Sequence, residues 1–225
     1  MDCVPFAFCD AVTSILGKNS LMRIPQLCKS ATLKCAAADH YANRTLLSLR
    51  VFFTDGNWFY AFDGILGIIS LEEVQKIRRK YLHLHKLDFG KGTLGFASSL
   101  EEIKSILKFV RPYADGWTFL WLGETDAPKE VLVDLLSLFS FAPFRFIYLL
   151  QYEEAFEEIL REQIRLSTVW SFIVCDKTQP AVELQTEYER IQTEARLARC
   201  DKGGRVYGTG QLAAANSSPG QLNAS

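Results

Sequence analysis

Ser70-Leu71-Glu72-Glu73-Val74-Gln75-Lys76-Ile77 and Ser99-Leu100-Glu101-Glu102-Ile103-Lys104-Ser105-Ile106 follow one octapeptide pattern, set 29 residues apart in a chain of 225. Its centre, an acid followed by a branched apolar residue, recurs at Glu73-Val74, Glu102-Ile103, Glu130-Val131 and Glu158-Ile159, at intervals of 29, 28 and 28 residues. A period in this range marks stacked units, each unable to bury its own apolar face without its neighbours. In the first two copies a serine stands three positions before a glutamate, the reciprocal capping box of a helix start. Asp126 before Ala127-Pro128 opens the third helix by related chemistry.

Apolar stripes at helical spacing follow each start: Leu100, Ile103, Ile106, Leu107 and Val110; Leu132, Leu135, Leu136 and Phe139; Phe156, Ile159, Leu160 and Ile164. Each helix leads into a short strand-like run, over 81–89, 117–122, 144–150 and 169–174. Because a helix separates successive strands, neighbours are expected to be parallel, and the apolar runs are expected to be buried on both faces. The order is helix then strand, repeated, as in leucine-rich repeats. Upstream, Leu47, Leu49, Val51 and Phe53 alternate. Asp55-Gly56-Asn57 supplies a turn, and Trp58, Tyr60 and Phe62 alternate again, which predicts a β-hairpin with one aromatic face.

The first forty residues read as helical. Phe8, Val12, Ile15 and Leu16 lie at helical spacing between Pro5, suited to a first turn, and Gly17, suited to a stop. A second helix is expected over 25–42. Thr186 to Ala198 could form a charged helix, and Gly203 to Ser225, rich in Gly, Ser, Ala and Asn, is expected to be a disordered tail.

Composition narrows the function. Apolar residues make up 48% of the chain, enough for a sizeable core, and 25 Lys+Arg against 26 Asp+Glu leave a formal net charge of −1. No field of that size favours nucleic acid or an anionic membrane, so neither is expected as a partner. Val131 to Leu150 looks greasy enough to span a bilayer, but Asp134, Pro143 and Arg145 interrupt it. Met1-Asp2 opens without the basic residues of a secretory signal, and the six cysteines contain no CxxC pair. A reducing, intracellular setting, cytoplasmic or nuclear, is expected.

Catalytic and metal chemistry find little purchase. His83 and His85 could share a metal from one strand face, but no further His/Cys cluster has ligand spacing; they read as polar residues on the exposed face of a first, edge strand. Asp39-His40 lacks a nucleophile motif to serve, and His40 reads as packing the end of its helix. No phosphate-binding glycine pattern occurs, and Glu153-Glu154 with Glu157-Glu158 read as a solvated helix start. The expectation is a chain that is not an enzyme and carries no cofactor or metal.

Val4-Pro5-Phe6 followed by Phe8, Val12, Ile15 and Leu16 resembles the opening of an F-box-like motif. Asp39-His40-Tyr41-Ala42-Asn43-Arg44, the hairpin through Trp58-Phe59-Tyr60, Phe109-Val110-Arg111-Pro112-Tyr113 and Tyr152-Glu153-Glu154-Ala155-Phe156 resemble the nematode-expanded F-box-like proteins, with their F-box-associated region of irregular leucine-rich-repeat character. The resemblance covers Val4 to Val174. The F-box-like part of it is confined to the first helix, and the repeats lack the regular L-x-x-L-x-L-x-x-N signature. It implies an α/β chain in which 1–43 is an F-box-like helical segment and 44–64 the β-hairpin. Residues 65–176 would be an irregular leucine-rich-repeat-like αβ solenoid with a mostly parallel sheet, and 177–225 a helix and tail. It further implies a substrate receptor of a cullin-RING ubiquitin ligase, with Val4, Pro5, Phe8, Val12 and Leu16 docking the ligase adaptor and the repeats holding an unidentified protein target. The alternative is a stand-alone interaction module whose N-terminal helices only cap the repeats.

Overall fold

A computed structural model describes residues 4–64, 67–166 and 169–201. The chain starts with three helices, α1 (Phe6–Ser14), α2 (Lys18–Leu27) and α3 (Ala31–Asn43). Strands β1 (Thr45–Thr54) and β2 (Asn57–Gly64) follow, then β3 (Gly67–Ile69), the short helix α4 (Leu71–Lys76), β4 (Leu82–Gly90) and β5 (Phe96–Ser98). Helix and strand then alternate: α5 (Leu100–Val110), β6 (Ala114–Leu122), α6 (Lys129–Ser137), β7 (Phe146–Leu149), α7 (Glu157–Arg165), β8 (Ser171–Val174) and α8 (Gln179–Asp201). Among the described residues no helix is long and apolar enough to cross a membrane.

These strands form one mixed sheet in the order β3-β2-β1-β4-β6-β7-β8, with β5 also on β2. The pairs β1–β4, β4–β6, β6–β7 and β7–β8 are parallel, as the intervening helices require, and those among β1, β2, β3 and β5 are antiparallel. Asp55 and Gly56 both take positive φ, 51° and 79°, the backbone of the tight turn that matches strand twist between β1 and β2. Because β1 also pairs with β4, the hairpin is continuous with the parallel strands.

The core lies between one face of this sheet and α5 to α8. The helix stripes read from the sequence are the buried ones: Ile103, Ile106, Leu107 and Val110, then Leu132, Leu135, Leu136 and Phe139, then Phe156, Ile159, Leu160 and Ile164. They meet Leu84, Leu87, Phe89, Leu120, Leu122, Ile147, Leu149 and Phe172 from the strands.

Several local expectations need correction. β4 is not an edge strand: it lies between β1 and β6, with a bulge at His85 that turns both Leu84 and Leu87 inward. The capping box is complete at Ser70, but at Ser99 the Glu102 carboxylate accepts from Ser98 Oγ at 2.8 Å while Ser99 Oγ caps the Glu102 amide. Asp126 caps nothing; it pairs with Lys91, and α6 starts from Pro128 without a side-chain cap. The helix expected over 25–42 is broken at Cys28–Ser30, because Ser30 caps the Leu33 amide and starts α3. The expectation for Gly203 to Ser225 lies outside the described residues.

A polar joint fastens the N-terminal helices to the start of β4. His40, fully buried, shares a hydrogen bond with Asp10 Oδ1 at 2.9 Å, and Lys80 Nζ reaches Asp10 at 3.2 Å and Asp39 at 3.1 Å. Tyr81 Oη donates to Asp39 at 2.7 Å, which is the main reason the Asp39 carboxyl is held below its usual range. His40 thus packs its helix end, in line with the sequence reading.

A second polar contact gives a pH expectation. Burial, together with donation of its hydroxyl to Glu157 at 2.6 Å, pushes the Tyr152 phenol up to about 12. A folded value above the ordinary ~10 means that this contribution to stability is intact below about pH 10 and is lost as the pH rises toward 12. Ultraviolet titration should show a late tyrosinate step that Tyr152→Phe removes; an unchanged titration curve in the variant would refute the assignment.

Candidate binding surfaces

The sheet has two faces of different chemistry, set by the pleat. Along β6 the residues alternate Trp117, Thr118, Phe119, Leu120, Trp121, Leu122, and along β7 Phe146, Ile147, Tyr148, Leu149. Aliphatic members point to the helices, so the aromatic members share the opposite face. Among the described residues no helix layer covers that face; the start of α2 approaches it only beside Trp117 and Phe119. The apolar runs of the sequence imply burial on both faces, and the structure corrects this: Phe119, Trp121, Phe146 and Tyr148 are half-buried, and only by one another and their neighbours.

Parallel register lines these rings up. Phe119 stands beside Phe146 and Trp121 beside Tyr148. The centroids are 4.6 Å and 4.8 Å apart, close to the strand spacing, and the Phe119 and Phe146 rings are within 16° of parallel. At the strand-start end, Trp117 and Trp170, 46% and 57% exposed, meet edge to face at 5.7 Å. Toward β4 and β1 the same face becomes charged. Lys86 Nζ lies 3.8 Å above the Trp121 ring and 2.7 Å from Asp88, and Arg50 pairs with Asp63.

Arg145, just before β7, differs from these paired charges. Its guanidinium lies 4.1 Å over the Trp170 ring and 5.7 Å from Trp117. Among the described residues it has no carboxylate partner. A cavity of about 210 Å³ opens on the other side of Trp117, between the start of α2 at Gly17–Ser20 and the sheet, with Leu46, His85 and Phe119 as further walls. His83 bonds Asp115 Oδ2 at 3.1 Å, and His85 packs edge-on against Phe119, its burial favouring the neutral ring. The two histidines therefore engage separate partners.

The second surface is α1. Its buried face is Cys9 and Thr13, the threonine hydroxyl donating to Cys9 O at 2.8 Å. Val4 is exposed, Pro5 is the exposed N-cap, Phe8 is 61% exposed, and Val12 and Leu16 are half-buried. Ile15, next to Leu16, is 71% exposed. The apolar stripe that marks this helix in sequence therefore faces largely outward. Arg44 secures the helix from below, its guanidinium donating to the carbonyls of Thr13, Ser14 and Leu16.

Comparison of the chain with protein-family models, with curated proteins and with solved structures finds no match to any of them.

Proposed function

We propose that this chain is a non-catalytic protein-binding module, used as the substrate receptor of a cullin-RING ubiquitin ligase. In this reading α1 to α3 hold the ligase adaptor and the sheet holds a protein target, inside the cytoplasm or nucleus. The helix–strand units from α4 to β8 form an irregular leucine-rich-repeat-like solenoid. The observation that carries the binding role is the uncovered row of rings Trp117, Phe119, Trp121, Phe146, Tyr148 and Trp170, since proteins in water seldom leave so contiguous an apolar patch without a partner. Aromatic side chains supply large contact area at small entropic cost, and they are enriched at interface centres. The outward stripe of α1 supports the adaptor half, because a helix that merely capped the repeats would bury Phe8. A receptor of this kind needs no chemistry of its own; it raises the effective concentration of the target beside the transferring enzyme.

Phe8→Ala with Val12→Ala is expected to melt within a few degrees of the parent yet lose adaptor co-purification, a loss of roughly 2 kcal/mol or more of binding. Wild-type chain that retains no cullin-RING adaptor, paired with a double variant that unfolds, would favour the stand-alone interaction module.

A further inference from the structure

We propose that the sheet face recognises an extended acidic peptide, placing an Asp or Glu carboxylate on Arg145 and an adjacent apolar side chain in the cavity beyond Trp117. This inference rests on the protein-target reading above and adds the chemistry of the target. Arg145 is its centre. Its guanidinium, held 4.1 Å over the Trp170 ring, carries its N–H donors in one rigid plane, a fork that fits a carboxylate bidentately. The neighbouring charges Lys86 and Arg50 are already matched by Asp88 and Asp63, and Arg44 in the cavity wall by backbone carbonyls, whereas Arg145, among the described residues, has no carboxylate partner to keep it from an incoming anion. Trp117 separates that cation from the cavity, where Leu46 and Phe119 offer an aliphatic side chain an apolar wall and Lys18, Arg44, His83 and Asp115 form the polar rim. A ligand spanning both sides of Trp117 therefore presents an acid and an aliphatic group on one extended strand.

The far end of the same face argues against a polyanion. Glu124, Asp126, Glu153 and Asp176 gather where the parallel strands end, only Lys91 offsetting them through Glu124 and Asp126 among the described residues, and burial, reinforced by the other three charges, raises the Glu153 carboxyl above its usual range. A nucleic acid running along the sheet would meet that cluster, whereas a peptide with one acidic residue at Arg145 would not.

Phage-displayed random dodecapeptides selected on the full chain test the proposal, followed by Kd measurements on a selected synthetic peptide. Selection should enrich Asp or Glu at one position flanked by aliphatic residues. Changing that residue to its amide in the peptide, or Arg145→Gln in the protein, should each weaken binding about tenfold or more, and together little further. The amide peptide tests the contact on unaltered protein, and the melting temperature checks that Arg145→Gln is folded. Peptides that bind through Trp117 and Trp121 with no acidic preference, or with equal affinity for Arg145→Gln, overturn the inference and leave the protein-target reading standing. Peptides indifferent to Trp117→Ala and Trp121→Ala, an empty selection, or tighter binding of a single-stranded oligonucleotide than of any peptide overturn both.

Discussion

Leu120→Ala is expected to lower the free energy of unfolding by about 2–5 kcal/mol, whereas Trp117→Ala, three residues earlier on the same strand, should change it by no more than about 1 kcal/mol. The larger residue is the cheaper one to remove. Leu120 is fully buried against the helix layer, and truncation leaves a cavity that the packed stripes of α5 and α6 cannot close. Trp117 keeps nearly half its surface in contact with solvent and touches mainly other aromatic rings of the open face, Phe146 and Trp170. Its removal opens no enclosed cavity in the core between sheet and helices. Urea unfolding of both variants reads the difference directly; comparable losses would mean that the aromatic face is a second core rather than a surface.

Arg44→Met is the other substitution with a large expected effect, about 2–3 kcal/mol of stability. The methionine keeps much of the apolar stem but removes the charged donor to the carbonyls of Thr13, Ser14 and Leu16, where the chain leaves α1. The loss should be local as well as global. Amides of α1 are expected to exchange with solvent faster by more than those of β6, because the helix loses the latch that joins it to α3 and the start of β1. Equal acceleration in both elements would show that Arg44 does not anchor α1.

Much of the helix layer is legible in the sequence because its signals are local. The stripes on α5, α6 and α7 are read from spacing alone, and a helix between each pair of strands leaves parallel pairing as the economical connection. Capping is less legible: the same Ser-x-x-Glu spacing gives a reciprocal box at Ser70, while at Ser99 a second serine, Ser98, competes for the glutamate. Tertiary pairing decides such cases, as when Lys91 draws Asp126 away from the helix it precedes.

The candidate site is half legible. The outward stripe of α1 can be read as apolar but not as outward, since periodicity gives a face and not what covers it. What turns Phe8 away is the Cys9–Thr13 face, two small buried residues in the helix that also supplies Asp10, the partner of His40. The aromatic platform is present in the sequence but escapes a reading that counts Trp, Phe and Tyr as apolar alongside Leu and Ile. Alternation of aromatic and aliphatic residues in Trp117-Thr118-Phe119-Leu120-Trp121-Leu122 separates the two faces once the classes are distinguished. Arg145 cannot be found that way: its contact with Trp170 joins residues from two different helix–strand units, and only the β7–β8 pairing brings them together.

The central claim is that the open sheet face, and not the helix layer, receives the partner. Photo-crosslinking in living cells tests it whatever the target is, with p-benzoylphenylalanine in place of Trp121 on the open face or of Phe141, 76% exposed beside α6 and α7. Discrete protein adducts are expected from position 121, abolished by Trp117→Ala with Trp170→Ala, and none from position 141; adducts from 141 alone, or from 121 undiminished by that double change, would contradict the account.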